Sequence, residues 1–259
     1  MKKALIVLEK EWLELRLQRV LLLSTLVLPP LITVFAVAGF FAVGKISGGV
    51  SVPGSPLPPE FAKLSPLEIG QALIGKQFST LFLLLPIFIP SVLASYAIVG
   101  EKRERTLEPV LATPIRTWEL LLGKILAALL PALAITIASA SVFVAGILAF
   151  AVTDRVRETI VTPGWILAVL VDTPLLALIG VALIVVLSSR VNDPRAAQQI
   201  SAVLVVPVLA LLFGQLAGVI VLGPALALGI GGILAIIAAG ALWFATRLFQ
   251  REVILTKWR

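Results

Sequence analysis

The chain has 259 residues, 59% of them hydrophobic and only 14% charged, with a formal net charge of +7. A soluble domain draws nearer a quarter of its residues from the charged set, so this chain cannot hide its apolar side chains inside a water-soluble particle, and its solvent is largely lipid. Cysteine and histidine are both absent, which excludes disulfides, thiol nucleophiles, Cys- or His-ligated metal sites and a histidine base or pH switch.

In chain order, residues 1–19 carry eight charges, with Leu5, Leu8, Trp12 and Leu15 recurring at three- and four-residue steps. This pattern predicts an amphipathic elbow helix in the cytoplasmic interface, serving as a membrane anchor or as an element that moves with the first span. The charge-free run 20–44 is long enough to cross a hydrocarbon core of ~30 Å and reads as span one; with so charged a leader it is not a removable signal. Five prolines between 45 and 76 mark a loop outside the bilayer, and Ser65-Pro66-Leu67-Glu68 has the form of a capping box that opens a short surface helix. Span two is placed at 77–100 and span three at 125–152, with the charged block 101–124 between them.

Span four is placed at 163–189, opened by Thr162-Pro163-Gly164-Trp165, with the tryptophan at interface depth. No charge occurs from Ala196 to Thr246; 51 residues would make about 76 Å of helix, so this stretch is a hairpin of spans five (196–216) and six (224–246). Its turn lies at 216–224, where Gly218, Gly223 and Pro224 break helix and the surplus residues leave a bare turn or a re-entrant segment open. A basic tail, 248–259, follows the six-span domain 20–247. Prolines fall in or at the start of every span (Pro29-Pro30, Pro86, Pro90, Pro131, Pro174, Pro207, Pro224), as kinks suited to a switching transporter or as ordinary membrane-helix prolines.

With six spans both termini share one side. Sixteen of the 21 lysines and arginines then fall on that side and five (Lys45, Lys63, Lys76, Arg155, Arg157) on the other, a positive-inside bias that puts both termini in the cytoplasm. The basic excess is thereby read as orientation and contact with anionic lipid, with no nucleic-acid partner, since no aromatic-interleaved basic module is present.

The block Gly100-Glu101-Lys102-Arg103-Glu104-Arg105-Thr106-Leu107-Glu108 ends span two; Pro109–Ala112 is apolar, and Thr113-Pro114 begins a new helix by the same cap-then-proline pattern as Thr106 with Pro109. A turn needs only a few residues, whereas this one uses about twenty of both charge signs. The run EKRERTLEPVLATPI (101–115) resembles the cytoplasmic loop of the type-2 ABC transporter permease family, in the form E-K-E-R-(G/R)-T-L-E-x-L-L-x-T-P. Glu101, Lys102, Arg105, Thr106, Leu107, Glu108, Leu111, Thr113 and Pro114 fit; Arg103-Glu104 is transposed, and Arg105 stands where many members have glycine. The second loop, SSRVNDPRAAQQI (188–200), is similar to that of the sodium-efflux-like and drug-export-like branches.

The resemblance implies an all-α membrane fold, an elbow helix plus six spans, working as the permease subunit of an ATP-driven exporter in the plasma (inner) membrane. Its coupling residues would be Glu101, Lys102, Arg103, Glu104, Arg105, Thr106, Leu107, Glu108, Thr113 and Pro114, seated in a groove of a separate ATPase. Two ATPase subunits and a second permease, identical or sister, would complete the unit. None of the chain's Gly-Lys pairs is followed by Ser or Thr to complete a P-loop, so the chain is not itself an enzyme and binds no cofactor; ATP and Mg belong to the partner.

Asp172 is the one carboxylate well inside a span. Nine residues past Pro163 it lies about 13–14 Å deep, where an acid must face protein, water or a cation. It is a candidate for the substrate or ion pathway, with Gln215 and Tyr96 as weaker ones; alternatively, 163–172 is a shallow re-entrant helix and the span starts near Pro174. Two rival functions remain at this level: a secondary transporter, for which a single buried acid and no evident repeat is thin support, and a non-transporting scaffold or sensor.

Overall fold

A computed structural model describes residues 2–17, 19–45, 61, 64–104, 115–188, 199, 203, 205–216, 220 and 222–248. Among them there is no strand. The helices are α1 (Lys2–Leu17), α2 (Arg19–Gly44), α3 (Pro66–Leu81), α4 (Leu85–Glu104), α5 (Thr117–Phe150), α6 (Asp154–Ile160) and α7 (Pro163–Leu167), the last running through a π-helical turn, Ala168–Asp172, into α8 (Thr173–Ser188); α9 (Val205–Leu216) and α10 (Pro224–Leu248) complete them. Five described segments are long and apolar enough to cross a membrane: Leu26–Gly44, Pro66–Ser95, Thr117–Phe150, Pro163–Val185 and Pro224–Arg247. The run 196–204 and the turn residues 217–219 and 221 lie largely or wholly outside the described residues, as does the tail 249–259.

At 34 residues, α5 is the spine of the bundle. It packs against α1, α2, α4 and α8, while α4 also packs on α8 and α8 on α10. Helix α2 shows how a peripheral span is written in sequence. Pro29, Thr33, Ala36, Phe40 and Val43 are buried at steps of three and four, whereas Val27, Leu31, Val34 and Phe35 are exposed; one stripe meets protein and the rest meets lipid. The segments 66–95 and 163–185 are mostly buried and form the centre, and α10 is the most exposed span.

Helix α3 opens as its sequence dictates. Ser65 Oγ accepts from Glu68 N at 3.5 Å, Glu68 Oε2 accepts from Ser65 N at 2.7 Å, and Pro66 occupies the first turn. The expected single helix 77–100 is broken, however. Helix α3 runs on to Leu81, and Phe82–Leu84 form a buried turn before α4. Pro86 is the cause: it offers no N–H, and its ring cannot approach the carbonyl four residues back. The backbone tightens to three-residue bonds, Leu83 N to Thr80 O (3.1 Å), Leu84 N to Leu81 O (3.0 Å) and Ile87 N to Leu84 O (3.0 Å).

The same conflict ahead of Pro174 is met by widening rather than tightening, since the π turn Ala168–Asp172 ends just before it. Pro163–Ser188 is therefore one continuous path, and the alternative of a separate shallow helix ending at Asp172 does not describe it. Trp165, read at interface depth, is buried within the bundle. Its Nε1 donates to the Ser79 carbonyl at 2.8 Å, and the rings of Phe82, Phe143 and Trp165 follow one another at 4.9 Å and 6.3 Å. A tryptophan one turn into a span serves as core when neighbouring helices reach past it, as α3 does here.

A fully buried glutamine, Gln71, fastens the opposite end of α5 from α1. Its Nε2 donates to the Phe40 carbonyl (3.2 Å) and the Phe150 carbonyl (3.1 Å), and its Oε1 accepts from Val152 N (3.0 Å). Phe150 ends α5, so the side chain supplies a partner for one of its orphan carbonyls. Beyond it, the short polar stretch between the third and fourth apolar spans contains α6, which packs on α3.

Candidate functional site

The charged segment lies in the chain between the end of α4 and the start of α5. Helix α4 continues beyond Gly100 through Glu101, Lys102, Arg103 and Glu104, so helical structure carries the first four charges of the block past the apolar stretch. Arg105, Thr106, Leu107, Glu108, Thr113 and Pro114 lie outside the described residues, as do the side chains from Tyr96 to Glu104. The chain re-enters at Ile115, and the next helix starts at Thr117 rather than at Pro114. Arg116 is its N-cap, and the Glu119 carboxylate bends back to accept the Arg116 N–H at 3.1 Å, satisfying a donor that the Thr113-Pro114 pattern would have left three residues too early.

The first two turns of α5 are covered by the elbow. Helix α1 packs on α5 much more extensively than on α2, and its buried side is Ala4, Val7 and Glu11. Leu5 and Trp12 are exposed, with Leu8 and Leu15 half-buried, so the expected stripe is divided between a protein-facing edge and an outward strip available to lipid. Glu11 Oε1 receives the Lys124 ammonium at 2.5 Å, with both side chains at most 2% exposed. Lys10 reaches the same oxygen at 3.5 Å and Glu14 at 3.0 Å. One residue away, Gly123 lies against Val7 and the Ala4 carbonyl: a Cβ there would stand 2.6 Å from Val7 Cβ and 2.9 Å from Ala4 O. Glycine is what permits this approach.

Sequence reasoning counted Glu11 and Lys124 as surface charges and missed their pairing. The available signal was that Glu11 shares the face of Ala4 and Val7, at steps of seven and four, which an interfacial helix would fill with apolar residues if it met only lipid.

Within the bundle, Asp172 ends the π turn and is 3% exposed. Its Oδ1 has no hydrogen-bond partner among the described residues, and it faces α10 at Gly231, where a Cβ would stand 2.8 Å from that oxygen. An ionised carboxylate there, without a cation, would be costly. Gln215 lies elsewhere: its Oε1 is 3.3 Å from Thr80 Oγ1, which is 3.0 Å from the Lys76 carbonyl, and its Nε2 is buried without a partner. One hydroxyl proton cannot serve both acceptors. With the Gln215 amide turned over, Nε2 donates to Thr80 while Thr80 donates to Lys76. The three pathway candidates are thus set apart: Asp172 against α10, Gln215 against α3, and Tyr96 on α4.

A bundle of long apolar helices, with a charged helical extension between its second and third apolar segments, defines a multi-pass membrane protein. The family described as ABC-2 family transporter protein matches residues 5–231, and the chain belongs to that family. It is a membrane permease component of an ABC transporter, a class of subunit that associates with an ABC ATPase. No curated protein matches the sequence.

Proposed function

We propose that the chain is the membrane subunit of an ATP-driven exporter, moving substrate outward with energy delivered by a separate ATPase on residues 101–119. The observation that carries this reading is the helical continuation of α4 through Glu101–Glu104, followed along the chain by an α5 whose first turns are tied to α1. A helix that keeps its hydrogen bonds beyond the lipid transmits a push along its axis, which a solvated hairpin turn would absorb. Glu101, Lys102, Arg103, Glu104, Arg105, Thr106, Leu107, Glu108, Thr113 and Pro114 form the ATPase contact. ATP and Mg are bound by the partner, and two ATPases and two permeases make the working unit.

The elbow 1–19, the coupling segment 101–124 and the tail 248–259 lie on the cytoplasmic side of the plasma membrane, with the spans between them in the six-span order given by the charge distribution. Asp172, and less directly Gln215 and Tyr96, border the path taken by the substrate or a coupled ion. The test is the ATP hydrolysis rate of the reconstituted permease–ATPase complex with charge reversal at Glu101, Glu104 and Glu108. A marked fall in permease-dependent hydrolysis is expected, and an unchanged rate refutes the coupling assignment.

A further inference from the structure

The elbow is joined to the bundle at a place its sequence position does not suggest. It directly precedes α2, yet it lies along α5, and two independent features fix it there. The Glu11–Lys124 pair spans 113 positions of chain, is buried on both sides and is 2.5 Å long. The Gly123 notch brings the α1 backbone, at the Ala4 carbonyl, into contact with α5 one residue from that pair. Leu120 and Leu121, in the same turns of α5, are buried as well. Those turns begin at Thr117, within the coupling segment and three residues past the last of its named contact residues, Pro114. A displacement of the coupling segment therefore enters the helix at the turns to which the elbow is attached.

We propose that α1 and the first turns of α5 move as one lever, with Glu11, Lys124 and Gly123 as positioning residues that carry coupling-segment motion into the elbow. Motion relative to α2 is then taken up between the elbow and the first span, rather than the elbow following that span. A buried ion pair suits this role because it is specific in register: sliding α1 along α5 would break the Glu11–Lys124 contact in a site that water does not reach. The packing at Gly123 fixes separation, and the ion pair fixes position along the axis. This inference rests on the coupling reading above for the source of the motion, but not for the joint itself.

The chain contains no cysteine, so nitroxide labels can be placed at exposed positions without background. Leu13→Cys with Trp118→Cys reports α1 against α5, and Leu13→Cys with Val27→Cys reports α1 against α2; all three side chains are exposed. Electron–electron distance measurements, with labelled chains diluted into unlabelled ones, give each distribution. In the permease alone, the 13/118 distribution is expected to be narrow and to broaden in Glu11→Gln, or in Lys124→Met should the former not fold. A distribution just as narrow in the variant overturns the joint, whether or not any ATPase docks. In the complex trapped with ATP and vanadate, the 13/118 distance is expected to hold while the 13/27 distance shifts. A shift in 13/118 with 13/27 fixed, or no shift in either, overturns the lever. Loss of ATPase docking with an intact, variant-sensitive 13/118 distance instead refutes the coupling reading and leaves the joint standing.

Discussion

Removing either partner of the Glu11–Lys124 pair should destabilise the protein, and removing both should cost much less than the two single changes together. At 2.5 Å the gross attraction is about 6–7 kcal/mol at an effective dielectric of about 20, most of it offset by the cost of taking both ions out of water. Deleting one partner of a buried pair typically costs about 3–5 kcal/mol. Glu11→Gln and Lys124→Met each belong at or just below the lower end of that range, about 2–3 kcal/mol, because Lys10 remains 3.5 Å from the Glu11 oxygen and both residues keep further contacts. Glu11→Gln/Lys124→Met buries no net charge and should fall within about 1 kcal/mol of the parent, giving an interaction energy of about 3 kcal/mol or more in the double-mutant cycle. The assay is equilibrium unfolding in mixed micelles titrated with dodecyl sulfate, followed by circular dichroism. Additive single effects in the double variant would refute the reasoning.

Other outcomes can be checked with the same unfolding assay. Gln71→Leu loses three hydrogen bonds at the ends of α2 and α5 and regains some apolar burial, for a net loss of about 2–3 kcal/mol; an unchanged midpoint would mean the glutamine ties nothing together. Gly164→Ala sets a methyl group against the Leu222 carbonyl and the Gly223 backbone, forcing α7 from the start of α10 at a cost of about 1–3 kcal/mol. Asp172→Asn, by removing an acid whose Oδ1 has no partner, should leave stability equal or raised while altering ATP hydrolysis in the reconstituted complex. Equal hydrolysis in the two proteins removes Asp172 from the transport path. Ser65→Ala breaks the α3 capping box and should cost about 1 kcal/mol.

What the sequence made legible was local. The Ser65 capping box depends on residues three apart and can be read directly, as can the Thr162 cap, whose hydroxyl accepts from Trp165 N. The burial of Asp172 follows from its depth alone. The lapses come where distant segments meet. The Trp165 indole meets the Ser79 carbonyl from 86 positions away, and Glu11 reads as a surface charge until Lys124 arrives from 113 positions away. Gln71 has no distinguishing neighbours in the chain, because its partners are main-chain groups of Phe40, Phe150 and Val152. The prolines left kinks and ordinary membrane-helix prolines both open; the structure shows three-residue tightening before Pro86 and π-widening before Pro174. The charged coupling segment, with its Thr106, Leu107, Leu111, Thr113 and Pro114, carries the family resemblance, since a lipid-facing surface of Leu, Val and Ile records only its solvent.

The central claim is that the Glu101–Glu119 segment couples this permease to an ATPase. The most direct measurement is purification of the tagged full chain with its ATPase partner, comparing the parent with the Glu101→Lys/Glu104→Lys/Glu108→Lys variant and quantifying the bound P-loop ATPase. The parent is expected to retain the ATPase in about equimolar amount and the variant to lose most of it while remaining folded in the membrane. Equal retention by both proteins would contradict the account.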